Sequence, residues 1–192
     1  MAQIILFHHA RGLTEGVRRF AELIEAGGHT VHTPDLYDGR VFETVEEGVA
    51  FAKELGTSTI TARGIETIMD YPQASVVAGI SLGALPAHCA AQTIPAFRAC
   101  LSISAALPLN AFAPLWPPHV ALQVHLGERD PWAVDEDLPL ARSYAATAEH
   151  PDRPADLFEY DTDAHLFMDN TDPGYSKALT DLCVSRIIEL LA

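Results

Sequence analysis

The sequence predicts an α/β protein with a mostly parallel six-stranded sheet and helices on both of its faces. Six apolar segments of strand length alternate with segments in which apolar residues recur at helical spacing. This alternation is typical of parallel strands joined by crossover helices, which cover the sheet from both sides. Glycine and proline residues close the segments, as Gly27 and Gly28 do after the first helix. We expect right-handed crossovers throughout.

The predicted strands span residues 3–8, 29–34, 74–79, 97–103, 120–126 and 155–160. The predicted helices span residues 14–26, 43–55, 58–70, 82–92 and 138–149, and a last helix begins near Tyr175. Residues 107–118 contain four prolines, which predict one long irregular loop. The sequence shows no repeat or linker, and a length of 192 residues suits one core, so we expect a single domain over residues 1–192.

The charge balance argues against two classes of partner. A formal net charge of -14, from 12 basic and 26 acidic residues, repels nucleic-acid phosphates and anionic membrane surfaces. No apolar run approaches the roughly 20 residues of a membrane span, and the first residues lack the basic region of a signal peptide. Cys89, Cys100 and Cys183 are far apart. We therefore expect a cytoplasmic protein with reduced thiols and neither a nucleic-acid nor a membrane partner.

Residues 79–83, Gly-Ile-Ser-Leu-Gly, form a G-x-S-x-G motif between a predicted strand and a predicted helix. A nucleophile elbow requires this context, because its sharp turn exposes a serine at the carboxyl edge of the sheet. The glycines allow the strand and the helix to approach closely. Ser81 is therefore the candidate nucleophile. The alternative is an ordinary strand-to-helix turn in which Ser81 caps the helix.

A serine nucleophile needs a base and an acid that orients the base, and in this architecture they follow in the order serine, acid, histidine. Asp130 comes just after the predicted strand 120–126, and His165 comes just after the strand 155–160. Since carboxyl ends of parallel strands meet at one edge, both residues are expected near Ser81. We therefore predict a triad of Ser81, His165 and Asp130.

Other titratable residues near these loops fit other roles. Glu128 lies two residues before Asp130 and remains an alternative acid. Asp135 and Asp137 precede a predicted helix and are expected to cap it. His88 is expected to pack behind the nucleophile. The aspartates flanking the candidate base are expected to be solvated loop charges: Asp161 and Asp163.

Acyl transfer also needs two hydrogen-bond donors for the developing oxyanion. The backbone N–H of Leu82 follows the nucleophile, and the loop after the first strand should supply the second donor, for which Ala10 is placed best. His8 and His9 offer the alternative of a metal site. Neighbouring strand residues point to opposite faces and chelate poorly together, so we expect no metal and no cofactor.

These residues resemble the dienelactone hydrolase family of the α/β-hydrolase superfamily, along nearly the whole chain. The matching motifs span residues 8–13, 79–84, 127–132 and 164–167. The resemblance implies a compact α/β-hydrolase core without the two antiparallel strands that usually lead it. Within the matched motifs we expect His9, Arg11 and Trp132 to contact the substrate.

The chain also departs from the family pattern. Many members carry cysteine in place of Ser81, and several carry a glutamate in place of His9. Asp169 stands in the region where members often place an arginine for the substrate carboxylate. We therefore take from the resemblance the fold and the triad, and not the dienelactone substrate.

The leading functional hypothesis is a serine hydrolase that cleaves a small ester, lactone or thioester through an acyl-enzyme on Ser81. The alternatives are a non-catalytic small-molecule-binding protein with this fold and an acyltransferase. The net charge and the absence of a lid insertion favour small, neutral, short-chain acyl substrates, with Arg11 the one cation placed to hold a carboxylate. We expect a monomer or homodimer. Large apolar residues in the 107–118 loop suggest a pocket wall or a subunit contact: Phe112, Leu115 and Trp116.

Overall fold

The computed structural model describes residues 1–146 and 155–192, and its centre is a six-stranded sheet in which every neighbouring pair of strands is parallel. The strands are β1 (Gln3–Phe7), β2 (Thr30–His32), β3 (Val76–Ile80), β4 (Ala99–Ile103), β5 (Ala121–Gly127) and β6 (Ala155–Tyr160). Their spatial order is β2-β1-β3-β4-β5-β6. The predicted α/β architecture with a six-stranded parallel sheet is confirmed.

Helices follow or precede the strands in the predicted order. They are α1 (Glu15–Glu25), α2 (Val45–Leu55), α3 (Thr57–Ile68), α4 (Ala84–Thr93), α5 (Asp137–Ala146) and α6 (Lys177–Leu191). The part of the predicted helix 138–149 that covers residues 147–149 lies outside the described residues. In the part of the chain that the structure describes, no helix has the length and apolar character that crossing a membrane requires.

The boundaries differ from the predicted ones where side chains cap the helices. The Thr14 hydroxyl accepts a hydrogen bond from the Val17 N–H, so α1 begins only at Glu15. Thr44 and Glu47 form a capping box that starts α2 at Val45, two residues later than predicted. β2 is shorter than predicted, with its three residues at an edge of the sheet and only half-buried.

The sheet divides the hydrophobic core into two layers. Ile5 and Phe7 face a layer built with α2, α3, α4 and α5, whereas Ile4 and Leu6 face a layer built with α1 and α6. Because successive strand residues point to opposite faces, strands that are apolar throughout can fill both layers. β3 and β4 are buried over their whole length, which fixes the rigid centre of the sheet beneath its carboxyl edge.

Asp169 fastens two loops of this carboxyl edge together. The carboxylate is fully buried after β6 and accepts hydrogen bonds from His9 Nε2 at 2.8 Å and from Thr14 Oγ1 at 2.6 Å. The Thr171 backbone N–H and hydroxyl donate to its other oxygen at 2.7 and 2.6 Å. The loop after β6 is thereby bound to the loop after β1.

The protonation states of this pair follow from burial and hydrogen bonding. Burial alone raises the pKa of Asp169, but the hydrogen bonds from His9, Thr14 and Thr171 outweigh it, and the net pKa lies well below its usual range. Burial lowers the pKa of His9 more than the nearby carboxylate raises it. The contact is therefore a neutral imidazole donating to an ionised carboxylate.

We expect Asp169→Asn to reduce the free energy of unfolding by about 2–3 kcal/mol. The asparagine side chain replaces one acceptor oxygen with an NH2 group, and this group would face buried hydrogen-bond donors with no acceptor for its own hydrogens. Since the fold lowers the pKa of Asp169, its contribution is complete above the unfolded-state pKa of about 4 and is lost as the pH falls. Urea unfolding at pH 7, 5 and 3 measures this difference. The exposed Asp163→Asn is the matched control. A wild-type stability at pH 7 in Asp169→Asn would contradict the assignment.

Candidate active site

Ser81 lies at a strained turn directly between β3 and α4. Its φ is 51°, in the left-handed region that residues other than glycine rarely adopt. A Cβ atom on Gly79 would lie 2.1 Å from the carbonyl oxygen of Gly83, and one on Gly83 would lie 2.4 Å from the carbonyl oxygen of Phe7. Both positions therefore require glycine so that strand, turn and neighbouring strand can touch. The geometry is that of a nucleophile elbow.

The structure brings the three predicted triad residues into one hydrogen-bonded chain. His165 Nε2 lies 2.8 Å from Ser81 Oγ, and His165 Nδ1 lies 2.6 Å from Asp130 Oδ2. Asp130 is fully buried, and its second oxygen accepts the backbone N–H of Trp132 at 2.9 Å. Because an ionised carboxylate accepts only, Nδ1 carries the proton and Nε2 is free to accept from the serine hydroxyl.

A residue that the sequence analysis missed supports the histidine. The Ser104 hydroxyl donates to the backbone carbonyl of His165 at 2.6 Å. Ser104 is buried, has a φ of 55°, and directly follows β4, so it lies at the same sheet edge as the nucleophile. The indole of Trp132 lies beside the imidazole of His165, with ring centroids 5.8 Å apart. A polar residue just after a buried strand was the available signal for Ser104.

The competing acids occupy other positions. Glu128 and Asp135 are exposed. Asp137 begins α5, but its carboxylate accepts the backbone N–H of Ala106 at 2.9 Å, so it holds the loop after β4 where a helix cap was predicted. Asp161 forms an ion pair with Arg129 on a neighbouring loop, and Asp163 is exposed.

The loop after β1 lies against the elbow. β1 and β3 are neighbours in the sheet, with Phe7 paired to Gly79, and Ala10 follows three residues later. The carbonyl of His9 accepts hydrogen bonds from the Gly12 N–H at 3.0 Å and from His8 Nδ1 at 2.8 Å. In a trans peptide the Ala10 N–H points away from that carbonyl. The Ala10 amide, predicted as the second oxyanion donor, is therefore oriented by hydrogen bonds within its own loop.

Two of the three predicted substrate contacts, His9 and Arg11, form hydrogen bonds to protein partners. His9 donates to Asp169 and accepts the backbone N–H of Arg11 at 3.2 Å. The buried guanidinium of Arg11 donates to the Phe42 carbonyl and to Asp172, each at 3.2 Å. These side chains fix the shape of the β1 loop. Trp132, in contrast, is 43% exposed beside the candidate base.

The remaining histidines near the site are also engaged or enclosed. His8 Nδ1 donates to His9, and its Nε2 accepts the Leu36 N–H at 3.0 Å. Within residues 1–146 and 155–192, no group of three or more histidine, cysteine or acidic residues could hold a metal ion. His88 is fully buried against the Trp116 ring, and burial lowers its pKa to about 4, so the ring is neutral at pH 7.

The 107–118 loop is irregular, as predicted, and is attached to the α4 side of the sheet. Trp116 is half-buried and donates its Nε1–H to the Val120 carbonyl at 2.7 Å. The backbone N–H of Phe112 donates to Gln92 at 3.1 Å, at the far end of α4. Leu115 is 80% exposed. Phe112 and Trp116 therefore form part of a wall, while Leu115 points to solvent.

The chain is similar to known proteins in its three-dimensional structure. No family model matches the sequence, and no curated protein matches it. A dienelactone hydrolase-like promiscuous phosphotriesterase from metagenomic libraries superposes with a TM-score of 0.70 at 14% identity, over 99% of this chain and 85% of that chain.

Two further solved structures give the same result. Dienelactone hydrolase from Anabaena variabilis has a TM-score of 0.58 at 19% identity, over 98% of this chain and 86% of that chain. An esterase from Pyrococcus furiosus has a TM-score of 0.61 at 16% identity, over 99% and 82%. The chain therefore has the α/β-hydrolase fold, in the form seen in dienelactone hydrolase-like proteins.

Proposed function

We propose that this protein is a serine hydrolase that cleaves a neutral ester, lactone or thioester through an acyl-enzyme on Ser81. The observation that carries the proposal is the continuous chain of hydrogen bonds from Asp130 through His165 to Ser81, at 2.6 and 2.8 Å. A serine that only shaped a turn would need neither the buried carboxylate nor the imidazole. The names of the structural neighbours, which include an esterase and a phosphotriesterase, support an ester-like substrate.

The proposed reaction uses each group in turn. Ser81 Oγ attacks the carbonyl carbon while His165 Nε2 takes the hydroxyl proton, and the ionised Asp130 stabilises the resulting imidazolium. The N–H groups of Leu82 and Ala10 are the proposed donors to the oxyanion. His165 then gives its proton to the leaving alcohol or thiol. Water, deprotonated by the same imidazole, releases the acid and restores the serine.

The charge distribution supports a neutral substrate. A net charge of -14 surrounds the site with negative potential, which slows the approach of anions. The two arginines on the neighbouring loops are paired, Arg11 with Asp172 and Arg129 with Asp161. A substrate carboxylate would have to compete with these carboxylates for a cationic partner.

The primary test is Ser81→Ala, which should lower kcat for 4-nitrophenyl acetate by about three orders of magnitude or more, because triad members act as a unit. The exposed Ser185→Ala on α6 is the matched control and should keep wild-type activity. Initial-rate kinetics on both variants, with circular dichroism to compare their folds, measures the effect. A Ser81→Ala variant that retains a tenth of wild-type kcat would refute the proposed function.

The acid is tested by comparing Asp130→Asn with Glu128→Gln. An amide at position 130 would donate to His165 Nδ1, moving the ring proton to Nε2 and preventing the imidazole from accepting the serine proton. We expect kcat to fall by about 10³–10⁴-fold in Asp130→Asn and to stay near wild type in Glu128→Gln. Equal losses in the two variants would contradict the assignment of the acid.

For the wild type, kcat/KM should fall as the pH is lowered, since a protonated imidazole cannot accept the serine proton.

The preference for neutral substrates is tested with two esters of similar size, 4-nitrophenyl butyrate and 4-nitrophenyl succinate. We expect kcat/KM to be lower for the succinate by about tenfold or more at low ionic strength, and the gap to narrow in high salt. A faster reaction of the succinate at both salt concentrations would be incompatible with this claim, and would indicate that Arg11 leaves Asp172 to bind substrate.

A further inference from the structure

A groove of about 610 Å³ lies between α3, α4 and the 107–118 loop. We refer to it as the α3–α4 groove. Its large apolar lining residues are Ile65, Leu85 and Phe112, and Cys89 on α4 also lines it. This volume lies within the range of small-molecule sites in proteins, about 300–1,000 Å³. The mechanism derived for the triad does not use any of these residues.

The two α4 residues that line the groove, Leu85 and Cys89, lie on the same face of the helix as Ser81. From Ser81 to Gln92, the half-exposed residues are Ser81, Leu82, Leu85 and Cys89, and the others are buried. Residues four apart lie on the same side of a helix, so this half-exposed stripe runs from the serine into the groove. α3 leads into β3 and α4 follows it, so both helices begin at the carboxyl edge, where Ser81 lies.

The 107–118 loop contributes Phe112 to the lining of the groove and is attached to the end of α4. Gln92, buried in the last turn of α4, accepts the backbone N–H groups of Phe112 and Ala113 at 3.1 and 3.0 Å. These bonds fix the backbone at Phe112, whose side chain lines the groove. An occupant of the groove would therefore contact Phe112 as well as Leu85, which lies one helical turn after Ser81.

The lining excludes charged occupants. The residues that line it include no lysine or arginine, and the one acidic residue among them is the exposed Glu66. A carboxylate or phosphate would find no cation there, whereas an alkyl chain would bury apolar surface on Leu85, Ile65 and Phe112.

We infer that the α3–α4 groove binds the apolar acyl chain of a neutral ester of medium chain length whose carbonyl lies at Ser81. This inference rests on the proposed function and specifies its substrate class. It also revises the short-chain preference predicted from the absence of a lid insertion, because helices already present in the core fold supply the covering surface.

The test compares kcat/KM for the 4-nitrophenyl esters of acetate, butyrate and hexanoate. A fully buried methylene is worth about fourfold; the groove is open to solvent, so we expect about twofold in kcat/KM for each methylene and a preference for hexanoate over acetate of about tenfold or more. Cys89→Trp fills the groove and should reduce this preference by about tenfold. Met69→Trp, which adds the same ring at an exposed position just beyond α3, should leave the preference unchanged. Phe112→Ala removes apolar surface that the acyl chain would contact and should also lower the hexanoate-to-acetate ratio, with no bulky group added to the fold.

The outcomes separate the two proposals. Loss of acetate hydrolysis in Ser81→Ala tests the serine mechanism alone, whereas the chain-length ratio tests the groove. A wild type with no preference for hexanoate, or an unchanged ratio in both Cys89→Trp and Phe112→Ala, would overturn the inference. So would a change of sedimentation coefficient in Cys89→Trp at an unchanged ratio, because it would identify the groove as a contact with a second copy of the chain.

Discussion

At Ser81 the backbone leaves a buried strand and enters a helix through a left-handed conformation, with a φ of 51°. This conformation costs a non-glycine residue about 1–2 kcal/mol, and it persists because the surroundings leave no alternative. Gly79 contacts Gly83 across the turn, and Gly83 contacts the carbonyl of Phe7 on the next strand. Every other part of the site is positioned relative to this turn, because β1 and β4 flank β3 directly.

The remaining groups have to reach Ser81 from strands that lie progressively further away. β5 and β6 are the second and third strands beyond β3, so with strands about 4.8 Å apart the loop that bears His165 must span some 14 Å. Ser104, which follows the intervening β4, bridges this distance by donating to the His165 carbonyl. On the other side, Asp169 connects the β6 loop to the β1 loop through His9. The edge thus consists of loops that hold one another in place.

Much of this arrangement was predictable from the sequence, and the limit has a physical cause. Ser81, Asp130 and His165 each follow an apolar strand in the sequence. Their meeting at one site follows from the rule that parallel strands place their carboxyl ends at the same edge of the sheet. The roles of Asp169, Arg11 and Asp137 did not follow, because each depends on a partner from a distant part of the chain. His9 and Asp169 are separated by 160 positions. The role of Ser104 was not predicted for the same reason. The groove could not be predicted either, because it depends on the packing of two helices and a loop, which no local sequence pattern specifies.

The central claim is that Ser81 is a nucleophile activated by His165, and covalent labelling tests it most directly. A fluorophosphonate reacts with serines whose hydroxyl is activated by a neighbouring base, and it does not react with serines that lack such a base. Intact-mass and peptide-mapping mass spectrometry should find one adduct per chain, located on Ser81, absent from His165→Ala, and formed in parallel with loss of esterase activity. An unlabelled wild-type protein, or an adduct on another serine that accounts for the lost activity, would contradict the account.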